Sequence, residues 1–364
     1  MLTGNLAMLR DELLGRTPAV DTMALVRPRR RRGPDPVSPV GPTARLSDRI
    51  AALWQGVVAG YRLATCRVVV VDDYYFPLYV IRRRRGTTVI QAWHACGAFK
   101  KFGYSVADKT FGADAQLLRR IPIHSNYDVC LVSSLSIVPH YAEAFGQPAT
   151  RFRADLGIPR TDVLFGEQRI TRVLASLRHR YAIPHDKRII LYAPTFRGES
   201  IGAARADGLP DWRALRDALA ADHVLLVRLH PFIRQALVID RELDGFLLDV
   251  SDHPDINDLL HLADVLVTDY SSVIFEYALL GRPMVFFAPD LEAYERERGF
   301  YLDYRRDVPG PVVETSTDLA QALREPAGDL ARVQDFAERS FDIADGASTV
   351  RVVDEVILPA LRSD

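Results

Sequence analysis

One stretch of the sequence, residues 263–290, constrains the fold more than any other part of the chain. Residues 265–268 (VLVT) are apolar and mostly β-branched, which predicts a short buried strand of a parallel sheet. Helical spacing follows over residues 272–280, and a second apolar run at 284–288 predicts the next strand. Parallel strands need a crossover, and a strand–loop–helix–strand unit supplies one. The stretch therefore predicts an α/β fold.

The loop inside this stretch offers a place for an anion. Asp269, Ser271 and Ser272 lie between the predicted strand and the predicted helix. Free backbone N–H groups and the positive end of the helix dipole favour a negative charge at such a point. The same residues would also fit a plain helix cap, with Ser271 as the capping side chain. The pattern alone supports a phosphate site and a cap equally well.

The composition narrows the class of protein. A chain of 364 residues with 48% hydrophobic and 26% charged residues is long enough for two globular domains. A net charge of -1 argues against a nucleic-acid partner, which usually requires a basic domain. Three cysteines are too few for a disulfide framework and favour the reducing cytoplasm. We find neither a signal peptide nor an apolar run of about 18 residues, so any membrane contact is expected to be peripheral.

The first 43 residues are expected to form a mobile arm. A short helix is possible at residues 5–14, and a basic run at 27–32 is followed by a proline-rich stretch at 34–42. The basic run fits a solvated arm, and it would also fit a patch drawn to anionic lipids. A second basic cluster at residues 82–85 strengthens the lipid interpretation if both clusters share one face.

Strands alternate with helices in both halves of the chain, which predicts two doubly wound domains. We expect the first domain at residues 44–160, the second at 161–345 and a closing helix within 346–364. The strands of the first domain are predicted at residues 67–71, 87–91 and 127–132. Those of the second domain are predicted at residues 189–192, 224–227, 245–249, 265–268 and 284–288.

Polar side chains suited to phosphate chemistry follow the predicted strands, and ligands of open α/β sheets bind at the carboxyl ends of strands. These residues are His94, Ser133, Thr195, Arg197, Arg228, His230, Asp269, Ser271 and Ser272. If the two sheets face each other, His94 and His230 stand on opposite walls of one cleft, although each alone would also fit a structural role. Spacings typical of metal sites, P-loops and GxGxxG folds are missing, so we predict no metal and no cofactor.

Five motifs occur in the order of one known family. They lie at residues 91–97 with Lys100 (QAWHACG and K), 192–197 (YAPTFR), 228–231 (RLHP), 264–272 (DVLVTDYSS) and 298–304 (RGFYLDY). With these motifs the chain resembles the CDP-glycerol glycerophosphotransferase family, the primases and polymerases of teichoic acid. The resemblance implies a GT-B architecture, with two Rossmann-like domains facing across a cleft and a C-terminal helix that crosses back. Residues 93–100 read WHACGAFK where polymerases typically have WHGTPLK, so we expect a short, primase-like member.

The resemblance also implies a reaction. A hydroxyl group of the acceptor would attack the β-phosphorus of a CDP-polyol, CDP-glycerol before CDP-ribitol, and release CMP. His94 would be the general base, and His230 with Arg228 would stabilise the pyrophosphate. The other residues expected to contact substrate are Gly97, Lys100, Thr195, Arg197, Asp269, Ser271, Ser272 and Glu276, the last at the ribose. The acceptor would be a lipid-linked or polymeric glycan at the inner face of the cell membrane.

Two other functions stay open. A GT-B glycosyltransferase that uses a nucleotide sugar would share the phosphate loop. A non-catalytic nucleotide-binding subunit of a wall-assembly complex would share it too. The motifs around His94 and His230 favour phosphotransfer, because neither alternative requires both histidines.

Overall fold

The computed structural model describes residues 2–25, 46–107, 121–198, 204–233, 237–324 and 330–362. The described residues contain two parallel sheets, one in each half of the chain. The first sheet has the order β1-β2-β3-β4, with β1 at Val68–Val71, β2 at Thr88–Gln91, β3 at Val129–Leu131 and β4 at Phe152–Arg153. The three predicted strands of this domain are confirmed. β4 was not predicted, because two residues are too few to show a pattern.

The second sheet has the order β10-β9-β8-β5-β6-β7 and pairs in parallel throughout. Its strands are β5 at Arg188–Tyr192, β6 at His223–Val227, β7 at Leu247–Asp249, β8 at Val265–Thr268, β9 at Met284–Phe287 and β10 at Val312–Val313. Every residue of β6, β8 and β9 is buried, which explains why these strands are apolar except for His223 at the start of β6 and Thr268 at the end of β8. The unit predicted from residues 263–290 is therefore confirmed.

Helices cover both sheets. They are α1 Gly4–Arg16, α2 Leu46–Thr65, α3 Phe76–Val80, α4 Val138–Phe145, α5 Glu167–Arg180, α6 Trp212–Leu219, α7 Ile256–Leu262, α8 Val273–Ala278, α9 Leu291–Glu297, α10 Tyr304–Asp307, α11 Ser316–Arg324, α12 Leu330–Ser340, α13 Ser348–Val352 and α14 Leu358–Arg362. A π-helical segment, Val353–Ile357, joins the last two into one continuous rod. Within the described ranges, no helix combines the length and the apolarity that a membrane crossing requires.

The C-terminal rod returns to the first domain. Asp162, in the turn that links the two sheets, accepts hydrogen bonds from the backbone N–H groups of Ser348 (3.0 Å) and Thr349 (2.7 Å). Arg153, at the end of β4, forms an ion pair with Glu355 at 3.1 Å. One hydrophobic core cluster contains side chains from both domains and from this rod. The predicted two-domain α/β architecture, with its last helix crossing back, is confirmed.

The N-terminal arm differs from the prediction over its first residues. Helix α1 is packed against the turn that links the sheets and against α13. It buries Asn5, Leu9 and Leu13, and Arg16 pairs with Asp354 of the C-terminal rod. The helix was predicted at residues 5–14, but the residues against which it packs lie far away in the sequence. The basic run at residues 27–32 and the proline-rich stretch at 34–42 lie outside the described residues.

Candidate active site

A strained turn after β2 presents His94. Gln91 is the last residue of β2, and its side-chain carbonyl accepts the backbone N–H of Trp93 at 2.8 Å. Trp93 has a φ of 51°, in the left-handed region that residues other than glycine rarely adopt. The buried indole of Trp93 anchors the turn in the core, and the next side chain, His94, is 54% exposed. The turn therefore carries a histidine out of a buried strand into an open position.

The ring of His94 has a defined proton arrangement. Its Nδ1 atom lies 3.0 Å from the backbone carbonyl oxygen of Asp72, at the end of β1. A carbonyl oxygen only accepts, so Nδ1 carries the proton and donates it. In the neutral ring this leaves Nε2 unprotonated, with a lone pair that can take a proton. A carboxylate oxygen of Asp73 lies 3.9 Å from the same Nδ1 atom.

His230 has the opposite arrangement in the second domain. It follows β6, and its Nδ1 atom accepts the backbone N–H of Phe232 at 3.2 Å. The ring packs against Phe196 with centroids 4.9 Å apart. Burial, together with nearby positive charges, lowers the pKa of His230 to about 3. The ring is therefore neutral near pH 7, with its proton on Nε2, where it can donate a hydrogen bond.

Cationic groups from both domains surround His230. Besides burial, the positive charges of Lys100, Arg228 and Arg298 lower its pKa, and the ring of His94 acts in the same direction when it is protonated. His94 and Lys100 belong to the first domain, and a backbone bridge pairs Lys100 with Phe300 of the second. The guanidinium of Arg228 is buried and donates to the carbonyl oxygen of His253 at 3.0 Å. The structure thus brings His94, Lys100 and Arg228, three of the basic residues predicted from the sequence, close to His230 in a region suited to anions.

An ion-pair network stabilises the loops that follow β5 and β8 in the second domain. Asp269 is buried at the end of β8, and its Oδ1 atom accepts from Thr195 N–H (2.8 Å), Thr195 Oγ1 (2.9 Å) and Tyr270 N–H (2.6 Å). Its Oδ2 atom accepts from Arg197 at 2.9 Å. Arg197 also forms two hydrogen bonds with Asp290, at 2.6 and 2.9 Å. Asp269, Thr195 and Arg197 are thus occupied with one another, which makes them supports of the loop that follows.

Ser271 and Ser272 stand at the start of α8. Both are partly exposed. Ser271 Oγ accepts one long hydrogen bond, 3.4 Å from the N–H of Val273, and Ser272 makes no side-chain cap bond. Capping therefore uses little of what these hydroxyl groups can offer, and they remain suited to bind a ligand.

Gly97 and Glu276 lie where the two domains touch. A Cβ atom at Gly97 would come within 2.1 Å of the Phe275 ring, so only glycine allows this approach. Glu276 is 2% exposed, and its Oε1 atom is 3.1 Å from Nε of Arg160. Its Oε2 atom is buried and has no hydrogen-bond partner among the described residues. The structure places both residues in the interface between the domains, whereas the sequence suggested contacts with substrate.

Four residues of this region were not predicted from the sequence. Asp72 and Asp73 directly follow the predicted strand at residues 67–71, but they were not predicted to contact His94. Asn5 and Arg160 hydrogen-bond to the backbone of the His94 turn, and nothing in the sequence pointed to them. The strand-end rule could have identified the two aspartates. The other two pair with residues far away in the sequence and have no local signal.

Comparisons with known proteins agree on one family. The sequence model described as CDP-Glycerol:Poly(glycerophosphate) glycerophosphotransferase matches residues 52–358. The chain is 45% identical to a teichoic acid ribitol-phosphate primase of Bacillus spizizenii, over 81% of this chain and 75% of the primase. It is 35% identical to a teichoic acid poly(ribitol-phosphate) polymerase of the same organism, over 98% of this chain but only 54% of that protein.

Solved structures give the same result for the fold. The wall teichoic acid polymerase TagF superposes with a TM-score of 0.76 at 25% identity, covering 99% of this chain and 86% of TagF. A UDP-GlcNAc 2-epimerase of Neisseria meningitidis superposes with a TM-score of 0.53 at 13% identity, which shows a shared fold alone. The GT-B architecture implied by the resemblance is thereby confirmed.

Proposed function

The chain belongs to the CDP-glycerol:poly(glycerophosphate) glycerophosphotransferase family, and we propose that it transfers a polyol phosphate from a CDP-polyol to a hydroxyl group of a glycan acceptor. The observation that carries the proposal is that two neutral histidine rings carry their proton on different nitrogen atoms. His94 offers an unprotonated Nε2, and His230 offers a protonated one. One is suited to remove a proton and the other to stabilise an anion.

In the proposed reaction, His94 Nε2 removes the proton from the acceptor hydroxyl group. The hydroxyl oxygen forms a bond to the β-phosphorus of the donor. The bond between that phosphorus and the bridging oxygen breaks, and CMP leaves with the electron pair. The charged ring of His94 is then stabilised by the carbonyl of Asp72 and the carboxylate of Asp73. General-base catalysis of this type contributes about 10²–10⁴-fold to the rate.

The donor phosphates would lie between the two walls. His230 Nε2–H, Arg228 and Lys100 would stabilise the negative charge on the pyrophosphate and on the departing CMP. The hydroxyl groups of Ser271 and Ser272 would hold the diphosphate, on a loop held in place by Asp269. The predicted substrate contacts of Thr195, Arg197, Gly97 and Glu276 stay predictions, because the described contacts of these residues are with the protein itself.

The donor that we place first is CDP-ribitol, which revises the sequence-based preference for glycerol. Relatives named for ribitol phosphate are 45%, 35%, 37% and 38% identical to the chain. Relatives named for glycerol phosphate are 35%, 33%, 31% and 30% identical. The difference is largest for the ribitol-phosphate primase, and among these four ribitol-phosphate relatives the chain covers the largest share, 75%, of the primase.

An exposed surface rich in aromatic side chains supports the proposal that the acceptor lies at a membrane. Trp54, Val57 and Tyr61 lie on one face of α2 and are 68%, 53% and 65% exposed. Phe76 and Val80 of α3 are exposed as well. Tryptophan and tyrosine side chains are enriched at the interface between lipid and water. This surface, with the exposed residues Arg82, Arg84 and Arg85 that follow α3 in the sequence, would bind the anionic inner face of the cell membrane and reach a lipid-linked glycan.

A donor panel tests the proposal. CMP or UMP/UDP release is measured from CDP-ribitol, CDP-glycerol and UDP-sugars, with a membrane lipid extract as acceptor. We expect release from CDP-ribitol first and none from UDP-sugars. Release from a UDP-sugar alone would support a glycosyltransferase. Tight nucleotide binding without any release would support a non-catalytic subunit.

A further inference from the structure

Three successive backbone carbonyl groups in the His94 turn are held by side chains from outside the first sheet. Nδ2 of Asn5 donates to the carbonyl oxygens of Ala92 (3.2 Å) and Trp93 (2.6 Å). The carbonyl oxygen of His94 accepts a guanidinium N–H of Arg160. The side-chain oxygen of Asn5 in turn accepts the backbone N–H of Arg160 at 2.7 Å. Asn5 and Arg160 therefore act on the turn together, and we call them the Asn5–Arg160 clamp.

The turn needs such support. A residue other than glycine with the φ of 51° found at Trp93 is strained, and it keeps this conformation only when its surroundings enforce it. Asn5 is 2% exposed, so solvent does not compete for its hydrogen bonds. Its amide has two donor hydrogens and one carbonyl oxygen, which matches two carbonyl groups and one N–H group. An aspartate at this position could accept but not donate.

The clamp also reaches the second domain. Nε of Arg160 lies 3.1 Å from Oε1 of Glu276, a buried residue of α8. That helix starts directly after Ser271 and Ser272, the residues proposed to hold the diphosphate. The turn that carries the base is thus tied through one arginine to the helix that follows the phosphate loop.

We propose that Asn5 and Arg160 are positioning residues for His94. The N-terminal helix, which carries Asn5, would then contribute to the geometry of the active site. By fixing the carbonyl groups of residues 92–94, the clamp sets where the His94 ring meets Asp72. The proposal rests on the proposed function for the role of His94 as base. The effect on the ring itself is independent of any substrate.

The first test reads the proton position on His94 directly. Protein labelled with ¹⁵N-histidine is compared with Asn5→Asp, and the His94 signals are identified by their loss in His94→Ala. We expect the wild type to show Nδ1–H, and Asn5→Asp to show a mixture of the two neutral forms. An unchanged His94 spectrum in folded Asn5→Asp would overturn the proposal. This result does not depend on knowing the donor.

Asn126→Asp is the matched control. Nδ2 of Asn126 also donates to a backbone carbonyl, that of Leu78, at 2.9 Å, within the same domain. The chemical change is the same, but the contact lies outside the His94 turn. We expect this variant to keep the wild-type His94 spectrum.

The second test uses kinetics with the donor that the wild type accepts. Asn5→Asp is expected to lower kcat about 100-fold, the usual result of misplacing a catalytic group by about 1 Å, with KM for the donor little changed. In the His94→Ala background the same substitution should cause no further loss. A second loss of similar size there would show that Asn5 acts otherwise than through His94, and would overturn the proposal.

Arg160→Lys keeps the test decisive if Asn5→Asp fails to fold. Lysine keeps the positive charge beside Glu276 but lacks the fork that reaches both the carboxylate and the His94 carbonyl. We expect the same change of the His94 signals and a smaller loss of kcat. Wild-type His94 signals in folded Arg160→Lys would contradict the proposal. If the wild type accepts no CDP-polyol, the proposed function fails, and the spectra still decide the role of the clamp.

Discussion

The two walls of the cleft use the same residue type in opposite ways. His94 and His230 both follow buried parallel strands. His94 faces a backbone carbonyl group, that of Asp72, and therefore keeps its proton on Nδ1. His230 faces a backbone N–H group, that of Phe232, and therefore keeps its proton on Nε2. The comparison teaches that one backbone contact decides whether a histidine at such a strand end can accept or donate toward the cleft.

The two walls are also held in different ways. Hydrogen bonds of the neutral side chains Gln91 and Asn5, with one arginine, support the His94 turn. A buried ion-pair network around Asp269 and Arg197 supports the second wall. The first arrangement aims one ring, and the second keeps a whole loop in place. Substitutions should therefore separate loss of turnover from loss of stability.

The largest effect is expected for His94→Gln. A glutamine amide cannot take up the proton of the acceptor, so the rate of CMP release should fall about 10³-fold, within the usual range for a general base. Donor affinity, measured by calorimetry, should stay close to that of the wild type. His185→Gln, at an exposed position after α5, serves as the control and should keep full activity.

Asp269→Asn should mainly reduce stability. The substitution removes a buried carboxylate that pairs with Arg197 at 2.9 Å, and it should lower the free energy of unfolding by about 3 kcal/mol. Denaturant unfolding measures the loss. Asp207→Asn removes the exposed partner of Arg205 and should change this free energy by less than about 1 kcal/mol. An equal loss of unfolding free energy in the two variants would contradict the claim that the network around Asp269 stabilises the second domain.

His230→Gln should be milder than His94→Gln, because the glutamine amide can still donate a hydrogen bond. We expect a decrease of about tenfold in kcat, against about 10²–10³-fold for His230→Ala, which offers no donor. Steady-state CMP release compares the two. If glutamine and alanine were equally damaging at this position, a donor role for His230 would be excluded.

A further prediction concerns the dependence of stability on pH. His124 is fully buried against Phe145, and burial lowers its pKa to about 3. Above pH ~6.5 neither the folded nor the unfolded chain protonates this ring, and between ~6.5 and 3 only the unfolded chain does. Its contribution to stability is therefore complete above pH ~6.5 and decreases with acidification, by up to about 1.4 kcal/mol per pH unit.

His124→Phe checks this prediction. The free energy of unfolding is measured by denaturant titration at several values between pH 6.5 and 4.5. The variant should show a shallower decrease than the wild type, whatever its stability at neutral pH. An unchanged slope would argue against a neutral buried ring. His185→Phe, at an exposed position, is the matched control.

The sequence predicted the strands of both sheets well, but it did not predict the long-range side-chain contacts that hold the loops after the strands. Strands such as Val265–Thr268 and Met284–Phe287 are buried on both faces, so their apolar runs are unambiguous. The strand-end rule then brought His94 and His230 to one region. The bonds from Asn5 to Trp93 and from Arg160 to Glu276 leave no periodic pattern, because they join distant parts of the chain. For the same reason the sequence did not show that Glu276 contacts Arg160 in the domain interface, and its predicted contact with a ribose stays a prediction.

The different roles proposed for His94 and His230 can be tested with one pair of variants. CMP release from the CDP-polyol that the wild type accepts is measured for His94→Ala and His230→Ala, with a membrane lipid extract as acceptor. Nucleotide affinity is measured on the same samples. Our account predicts that His94→Ala loses release and still binds the donor tightly, while His230→Ala loses release and binds the donor more weakly. Release at the wild-type rate from either folded variant would contradict it.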